Sequence, residues 1–285
     1  MVNGIEARAG LVSVILPASN EAALIGDCLQ ALLASRWDRS ETVEVIVVAN
    51  GCRDNTANLA RGFAVRFKAQ NWGFNVTELA QGGKPGALNA GDAKASGAIR
   101  VYLDADVTVS PGLLSELTEA LSTDEPRYAS GKVEITAKSP VSRAYARIWR
   151  QVPFMAECVP GCGVFAVNAA GRNRWGTFPD IISDDTFVRL SFAPEERIGV
   201  SATYRWPIAE GLRNLIRVRR RQDVGVDEIA QKYPARLAND DKPVFPRSRK
   251  MDMALGDPFG FAVYAGVALV VKLTKGQTSG WSRSR

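Results

Sequence analysis

Apolar and polar positions alternate in blocks along the first 120 or so residues of the chain. Leu11–Leu16 is a short β-branched run that Pro17 is expected to stop, and Val43–Val48 is a second, stopped by Asn50–Gly51. Continuous apolar runs of this length suit strands buried on both faces of a parallel sheet. Between them Leu24, Cys28, Leu29, Leu32 and Leu33 recur at helical spacing, and Ala60, Phe63, Ala64 and Phe67 do the same after the second run. Val76–Leu79 and Ile99–Leu103 read as two further strands. Leu113, Leu114, Leu117 and Leu121 predict an amphipathic helix with Pro111 in its first turn. Strands alternating with helices predict right-handed crossovers and a doubly wound α/β sheet.

The pattern loosens after residue 125. Lys132–Thr136, Gly163–Val167 and Ile198–Tyr204 read as strands that extend the same sheet, some of them antiparallel. Residues 232–257 carry many Pro, Asp, Lys and Arg with little periodicity, the composition of a linker or lid. Phe259–Val271 is apolar but interrupted by Gly260 and Gly266, and a membrane span needs ~20 apolar residues. A core helix, an interfacial segment and the start of a longer span all fit it. The N-terminal residues lack the basic, apolar and small-residue succession of a secretory signal.

Composition narrows the chemistry. With 285 residues, 46% of them hydrophobic, the chain can build a substantial core. Its net charge of +6 favours anionic partners. Nucleotide phosphates and acidic lipid both qualify; nucleic acid is not expected, because no reader motif or basic–aromatic interleaving is present. There is no histidine, so proton transfer near neutral pH falls chiefly to carboxylates. Four cysteines do not make a disulfide framework at this length, and Cys158 and Cys162 are half a zinc site with nothing to complete it. Reduced thiols of a cytoplasmic protein are the expectation.

Polar residues collect where the strands end: Asn20–Glu21 after the first, Asn50–Gly51–Cys52–Arg53–Asp54 after the second, and Asp104–Ala105–Asp106 after the fourth. In open α/β sheets ligands bind outside the carboxyl ends of the strands, so three such clusters on one edge define a candidate site. Asp-x-Asp is common in turns. Placed directly after Val101–Leu103, however, its two hard oxygen donors suit Mg²⁺ or Mn²⁺, which would neutralise a diphosphate.

Four ordered motifs carry a resemblance. Val14-Ile-Leu-Pro-Ala-Ser-Asn-Glu21, Val47-Val-Ala-Asn-Gly-Cys-Arg-Asp-Asn-Thr56, Gly83-Lys-Pro-Gly-Ala-Leu-Asn-Ala-Gly91 and Tyr102-Leu-Asp-Ala-Asp106 together resemble family 2 glycosyltransferases of the GT-A fold. The match spans residues 11–112 and continues more weakly to about residue 222. It implies a mostly parallel mixed sheet flanked by helices. A catalytic domain would occupy residues 1–230, with a nucleotide-binding half at 11–112 and an acceptor half at 113–230. A C-terminal extension would follow at 231–285. It also implies inverting transfer from a nucleoside diphosphate sugar, UDP favoured, to a glycan or lipid-linked acceptor, with bacterial surface polysaccharide as the suggested pathway. On this resemblance Pro17, Asn20 and Glu21 line the nucleotide, Asn50 sits beside the base and Lys84 approaches the nucleotide. Asp104 faces ribose and metal, and Asp106 is the direct metal ligand. Relatives often carry a carboxylate where this chain has Asn50.

The resemblance extends to Ile182-Ser-Asp-Asp-Thr-Phe-Val188, the acidic pair ahead of the acceptor-site helix. Asp185 is then the general base and Asp184 its orienting neighbour, although carboxylates are also simply favoured at a helix start. Gly161–Cys162–Gly163 resembles the turn that shapes the acceptor pocket, and equally an ordinary tight turn. Arg217, Arg219, Arg220, Arg221 and Gln222 partly match the Gln-x-x-Arg-Trp motif of processive relatives, without its Trp. Arg219 and Arg220 are candidates for the donor diphosphate; the group could instead meet an anionic lipid head or form a plain solvated face. Two other functions compete. A sugar-phosphate nucleotidylyltransferase would need a Gly-rich loop after the first strand, where Pro17-Ala-Ser-Asn-Glu21 stands. A non-catalytic sugar-binding module would not need Asp104, Asp106 and Asp185 together. Finally, the arginine cluster with Phe259–Val271 and flanking Lys272 and Lys275 predicts peripheral attachment to the inner, anionic face of a membrane.

Overall fold

The computed structural model describes residues 8–274, so Lys275 lies outside the described residues. One sheet contains eight strands: β1 (Arg8–Ala18), β2 (Thr42–Asn50), β3 (Gly73–Leu79), β4 (Gly97–Leu103), β5 (Thr108–Val109), β6 (Tyr128–Thr136), β7 (Val164–Asn168) and β8 (Arg197–Pro207). Their spatial order is β3-β2-β1-β4-β7-β6-β8-β5. The first four in space run parallel, β7 is antiparallel to both β4 and β6, and β8 is parallel to β6. As expected, the later strands extend the sheet with mixed sense. The carboxyl ends of β2, β1, β4, β6 and β8 therefore share one edge, and the amino end of β7 joins them.

The helices of the N-terminal half are α1 (Ile25–Leu33), α2 (Thr56–Arg61), α3 (Ala64–Ala69), α4 (Lys84–Asp92) and α5 (Leu113–Ala120). Those of the C-terminal half are α6 (Pro140–Trp149), α7 (Pro153–Glu157), α8 (Ala169–Arg172), α9 (Asp184–Arg189), α10 (Leu212–Lys232), α11 (Arg247–Gly256) and α12 (Pro258–Leu273).

Burial follows the apolar pattern. Val12–Leu16 and Val45–Val48 are buried on both faces, and the register sets Val14 beside Val45 and Val101. On β8 the buried Val200 and Tyr204 alternate with the exposed Gly199, Ser201 and Arg205, the period of two that half-buried strands show. Three expectations need correction. β1 runs through Pro17 to Ala18, because proline so near a strand's end forfeits a single donor. The helix expected over Ala60–Phe67 is two six-residue pieces that break at Gly62–Phe63, where Phe67 turns in to stack on Phe74 at 4.6 Å. Pro111 lies ahead of α5, whose N-cap is Gly112.

The segment expected to be a linker or lid is ordered as a strap. Arg189 of α9 and Arg197 of β8 are buried, and both pair with Asp241 while Arg189 also meets Asp240 at 2.8 Å. Burying two guanidinium groups is tolerable only with such partners. α12 then packs on α6 and α10, with Val267 and Val271 joining Tyr145 and Leu215 in a small core. Among the described residues no helix is long and apolar enough to cross a membrane.

Candidate active site

The shared strand edge opens into a cleft of about 440 Å³ lined by residues of every motif. Pro17, Asn20, Glu21, Asn50, Lys84, Asp104, Asp106, Asp184, Asp185 and Arg219 all face it. Arg220 does not: its guanidinium turns toward α12 and donates to the Thr274 hydroxyl.

Local hydrogen bonds build the wall at the ends of β1 and β2. Asn20 adopts a left-handed backbone at φ 57°, which asparagine tolerates, and its Oδ1 accepts the Arg53 N–H at 2.7 Å. Asp54 accepts from the Thr56 hydroxyl and from the Ala22 N–H. Burial works against the Asp54 carboxylate, but these bonds outweigh it and hold its pKa below the usual range. The Asn50 amide is committed to backbone, with Nδ2 donating to the Ala18 carbonyl at 2.9 Å and Oδ1 accepting from Gly83 N–H at 2.9 Å. A carboxylate could not make the first of these bonds, which accounts for an amide at this position.

α4 connects the two halves of the cleft. Lys84, in its first turn, places Nζ 2.8 Å from Asp104 and 3.1 Å from Asp184. About one and a half turns on, Asn89 clasps Phe178 with both ends of its amide, at 2.7 and 3.0 Å. At its C-terminal end the buried Asp92 receives Arg100, Tyr102 and Arg172, which tie the helix to β4 and α8. Burial opposes the Lys84 ammonium, yet Asp104, Asp184 and Asp185 outweigh it and raise its pKa well above the ordinary value. The carboxyls of Asp184 and Asp185 are both pushed up, first by burial, with Lys84 pulling the other way.

β4 ends at Leu103, and the Asp104 N–H reaches the Gly163 carbonyl at 2.8 Å, so the Asp-x-Asp turn rests on the Gly161–Gly163 turn. That turn requires glycine. Gly161 has φ 68°, and a Cβ there would fall 1.7 Å from the hydroxyl of the buried Tyr128. Gly161→Ala should therefore cost about 2–4 kcal/mol, from overpacking together with left-handed backbone. Since the Tyr128 hydroxyl has no hydrogen-bond partner among the described residues, Tyr128→Phe should be near neutral alone and recover part of the loss in the double variant. Urea denaturation of the three variants checks this.

Apart from Arg219, Arg221 and Gln222, the opposite wall escaped the sequence analysis. α6 contributes Tyr145 and Trp149, the end of β8 and the turn after it contribute Trp206–Ala209, and α10 contributes Leu215, Val218, Arg221 and Gln222. A signal for α6 was present in Ser139–Pro140: the Ser139 hydroxyl caps the helix by accepting the Ser142 N–H at 3.2 Å. α10 reaches the acidic pair because Gly225 lets it touch Ile182 and Ser183, which a Cβ would overlap.

The Asp104–Asp106 pair suits a divalent cation shared with a substrate. Asp104 already meets one cationic group, the Lys84 ammonium, which it shares with Asp184. Among the described residues no three acidic or thiol groups gather into a cage of their own. Mg²⁺ and cations like it are commonly held by one or two carboxylates plus substrate phosphates, and Asp104 with Asp106 supplies that number.

The mixed sheet, with an acidic turn, a lysine bridge and a second acidic pair along its ligand edge, has the GT-A fold of its structural neighbours. The chain matches glycosyl transferase family 2 over residues 13–172, more than half its length, and belongs to that family. It is 34% identical over 125 residues to glycosyltransferase AglE of Haloferax volcanii, 44% of this chain and 40% of that one. With the dolichyl-phosphate beta-glucosyltransferase of Drosophila melanogaster it shares 31% over 134 residues, again 40% of the relative. The chain thus matches about two fifths of the length of these curated relatives. Among solved structures, the mannosyltransferase PcManGT from Pyrobaculum calidifontis, in complex with GDP-Man and Mn²⁺, superposes with a TM-score of 0.60 at 20% identity, over 92% of this chain and 75% of that one. S. aureus TarS in complex with UDP-GlcNAc gives 0.55 at 17% identity, over 93% and 77%. At such identities the likeness concerns the fold.

Proposed function

We propose that this chain catalyses inverting transfer of a sugar from a nucleoside diphosphate donor to an acceptor hydroxyl, with Mn²⁺ or Mg²⁺ at Asp104 and Asp106. The observation that carries the reading is the convergence of the donor-side motifs, the Asp-x-Asp turn and Asp184–Asp185 on one cleft. Pro17, Asn20, Glu21 and Lys84 would hold the nucleotide, Asn50 would shape the wall beside the base, and Arg219 would face the diphosphate. Lys84 bridges the Asp104 side of the cleft to Asp184, so donor and acceptor groups are aligned by one helix. Asp185 would take the proton of the acceptor hydroxyl as its oxygen bonds the anomeric carbon, and the bond from that carbon to the diphosphate oxygen breaks on the opposite side. When bound, the cation supplies positive charge to the departing diphosphate. UDP is the nucleotide to test first; the neighbours PcManGT and TarS hold GDP-Man and UDP-GlcNAc respectively. A nucleotidylyltransferase is set aside by the family match.

The acceptor is a glycan or a lipid-linked group, reached from a position on the cytoplasmic face of a membrane. Support for that position comes from Met251, Leu255, Phe259, Leu269 and Leu273, exposed at helical intervals on α11 and α12, with Lys272 beside them. Flotation should show binding to anionic vesicles that high salt weakens; indifference to vesicle charge would remove the membrane from the reading. The transfer itself is tested by incubating the chain with UDP- and GDP-sugars and Mn²⁺. Slow transfer to water should release sugar of inverted anomeric configuration by NMR, and retained configuration would overturn the single-displacement mechanism.

A further inference from the structure

α9 is six residues long, too short to hold itself together in water, so its place is set by what grips it. Its first turn carries Asp184 and Asp185 to the cleft. Its last residue, Arg189, is 3% exposed and stands four positions after Asp185, on the same face and about 6 Å further along the axis. The Tyr128 hydroxyl and the Cys162 thiol lie within electrostatic reach of both. Opposite charges at this spacing ordinarily attract one another along a helix. Here the strap takes the guanidinium instead: it meets Asp240 at 2.8 Å, meets Asp241 as well, and sits over the Phe154 ring, 4.9 Å from its centroid. Arg197, 7% exposed, shares Asp241 at 2.6 Å and donates to the Arg189 and Phe192 carbonyls. Two buried cations thus face two carboxylates, and the cluster is neutral. Two further charges, Lys242 over the same ring and Glu157 paired with Arg249, stand on its exposed rim.

Building on the reading of Asp185 as the base, we infer that Asp241, with Asp240, is a positioning residue for the reaction: it fixes and compensates the Arg189 guanidinium, so that Asp185 keeps no cationic partner on its own helix. A group that must accept a proton is weakened by positive charge close by. Asp185 is faced by Lys84 of α4, Asp104 after β4, its neighbour Asp184, Tyr128 of β6, Cys162 of the turn before β7 and Tyr204 of β8. Lys84 is the one cation among these, and its charge is shared with Asp104 and Asp184. A second cation one turn away, buried and uncompensated, would act through a low effective dielectric, where charge carries further than in water. The strap, from a segment about 50 residues beyond α9, removes that cation from the site by supplying its counter-charge.

Donor hydrolysis with Mn²⁺, followed against pH in the full chain, tests this through the sign of the change. Asp241→Asn leaves one buried positive charge in excess. Its acid limb should move to lower pH by about half a unit or more, and its plateau kcat should fall about threefold or more. Arg189→Met leaves one negative charge in excess, and its limb should move the opposite way. Together the two substitutions restore neutrality, and the limb of the double variant should return to the wild-type position. Nucleotide affinity with Mn²⁺, titrated in parallel, should hold in all three. Asp240→Asn, which leaves both arginines on Asp241, should act as Asp241→Asn does but less, because Asp240 is the more exposed carboxylate. It takes the place of Asp241→Asn if near-UV circular dichroism shows that variant unfolded. Limbs that move alike in the Asp241 and Arg189 variants, or a double variant displaced further than either, would make the cluster a plain clasp and overturn the inference. A loss of nucleotide affinity in step with kcat would do the same. A limb that stays put in these variants but vanishes in Asp185→Asn overturns the inference and leaves Asp185 as the base. A limb that survives in Asp185→Asn removes that assignment, and the inference with it. Failure of the wild type to turn over any UDP- or GDP-sugar would remove the transferase reading itself.

Discussion

Asp106→Asn should lower sugar transfer by about 10³-fold or more while leaving the thermal stability close to wild type, because a metal-assisted site supplies several kcal/mol of charge stabilisation to a leaving diphosphate. The substitution keeps the shape of the side chain and removes the charge. Asp106 lies in a turn at the cleft wall, outside the main apolar core, so the fold has little reason to respond. Hydrolysis of the donor in the presence of Mn²⁺ reads the effect without an acceptor. Wild-type turnover by the variant, or wild-type activity that survives excess chelator, would remove the metal from the reaction.

The second large effect belongs to Asp185→Asn. Transfer should fall by about 10²-fold or more, the scale of a lost general base, with nucleotide affinity retained. An equal loss of affinity would move Asp185 into the donor site, and near-normal turnover would leave it as a helix-start residue. The pH profile supplies a second readout. Asp185 is faced by Lys84 of α4, by Asp104 after β4, by its neighbour Asp184, and by Tyr128 and Cys162. Burial is the largest influence and raises its pKa, while Lys84 works in the opposite direction. The base acts only when deprotonated, so activity should be lost on acidification at a pH above the ordinary carboxylate value of about 4. The residual activity of Asp185→Asn should lack that acid limb.

Much of this site was legible because its residues sit where strands end. The runs Leu11–Leu16 and Ile99–Leu103 locate β1 and β4, although β1 continues to Ala18, and the polar residues just past them share an edge with Asn50. What stayed hidden was tertiary. Nothing local marks Trp206 as a cleft residue, since a tryptophan closing a half-buried strand reads the same on either face. The arginines of α10 masked its apolar positions, so a 21-residue helix that forms one wall read as a charge cluster. Arg220 shows the same limit in reverse. It stands in a row with Arg219 and Arg221, yet helical rotation carries it to Thr274. The strap of 232–257 looked unstructured because what orders it is long-range, the pairing of Asp240 and Asp241 with Arg189 and Arg197 from elements about 40 to 50 residues earlier.

Isothermal titration of UDP and GDP into the purified chain, once with Mn²⁺ and once with excess chelator, bears most directly on the central claim of a metal-assisted nucleotide-sugar site. The expected result is one-to-one binding of one of the two nucleotides with Mn²⁺ and little or none without it. Equal affinity in chelator, or heat from neither nucleotide under either condition, would contradict it.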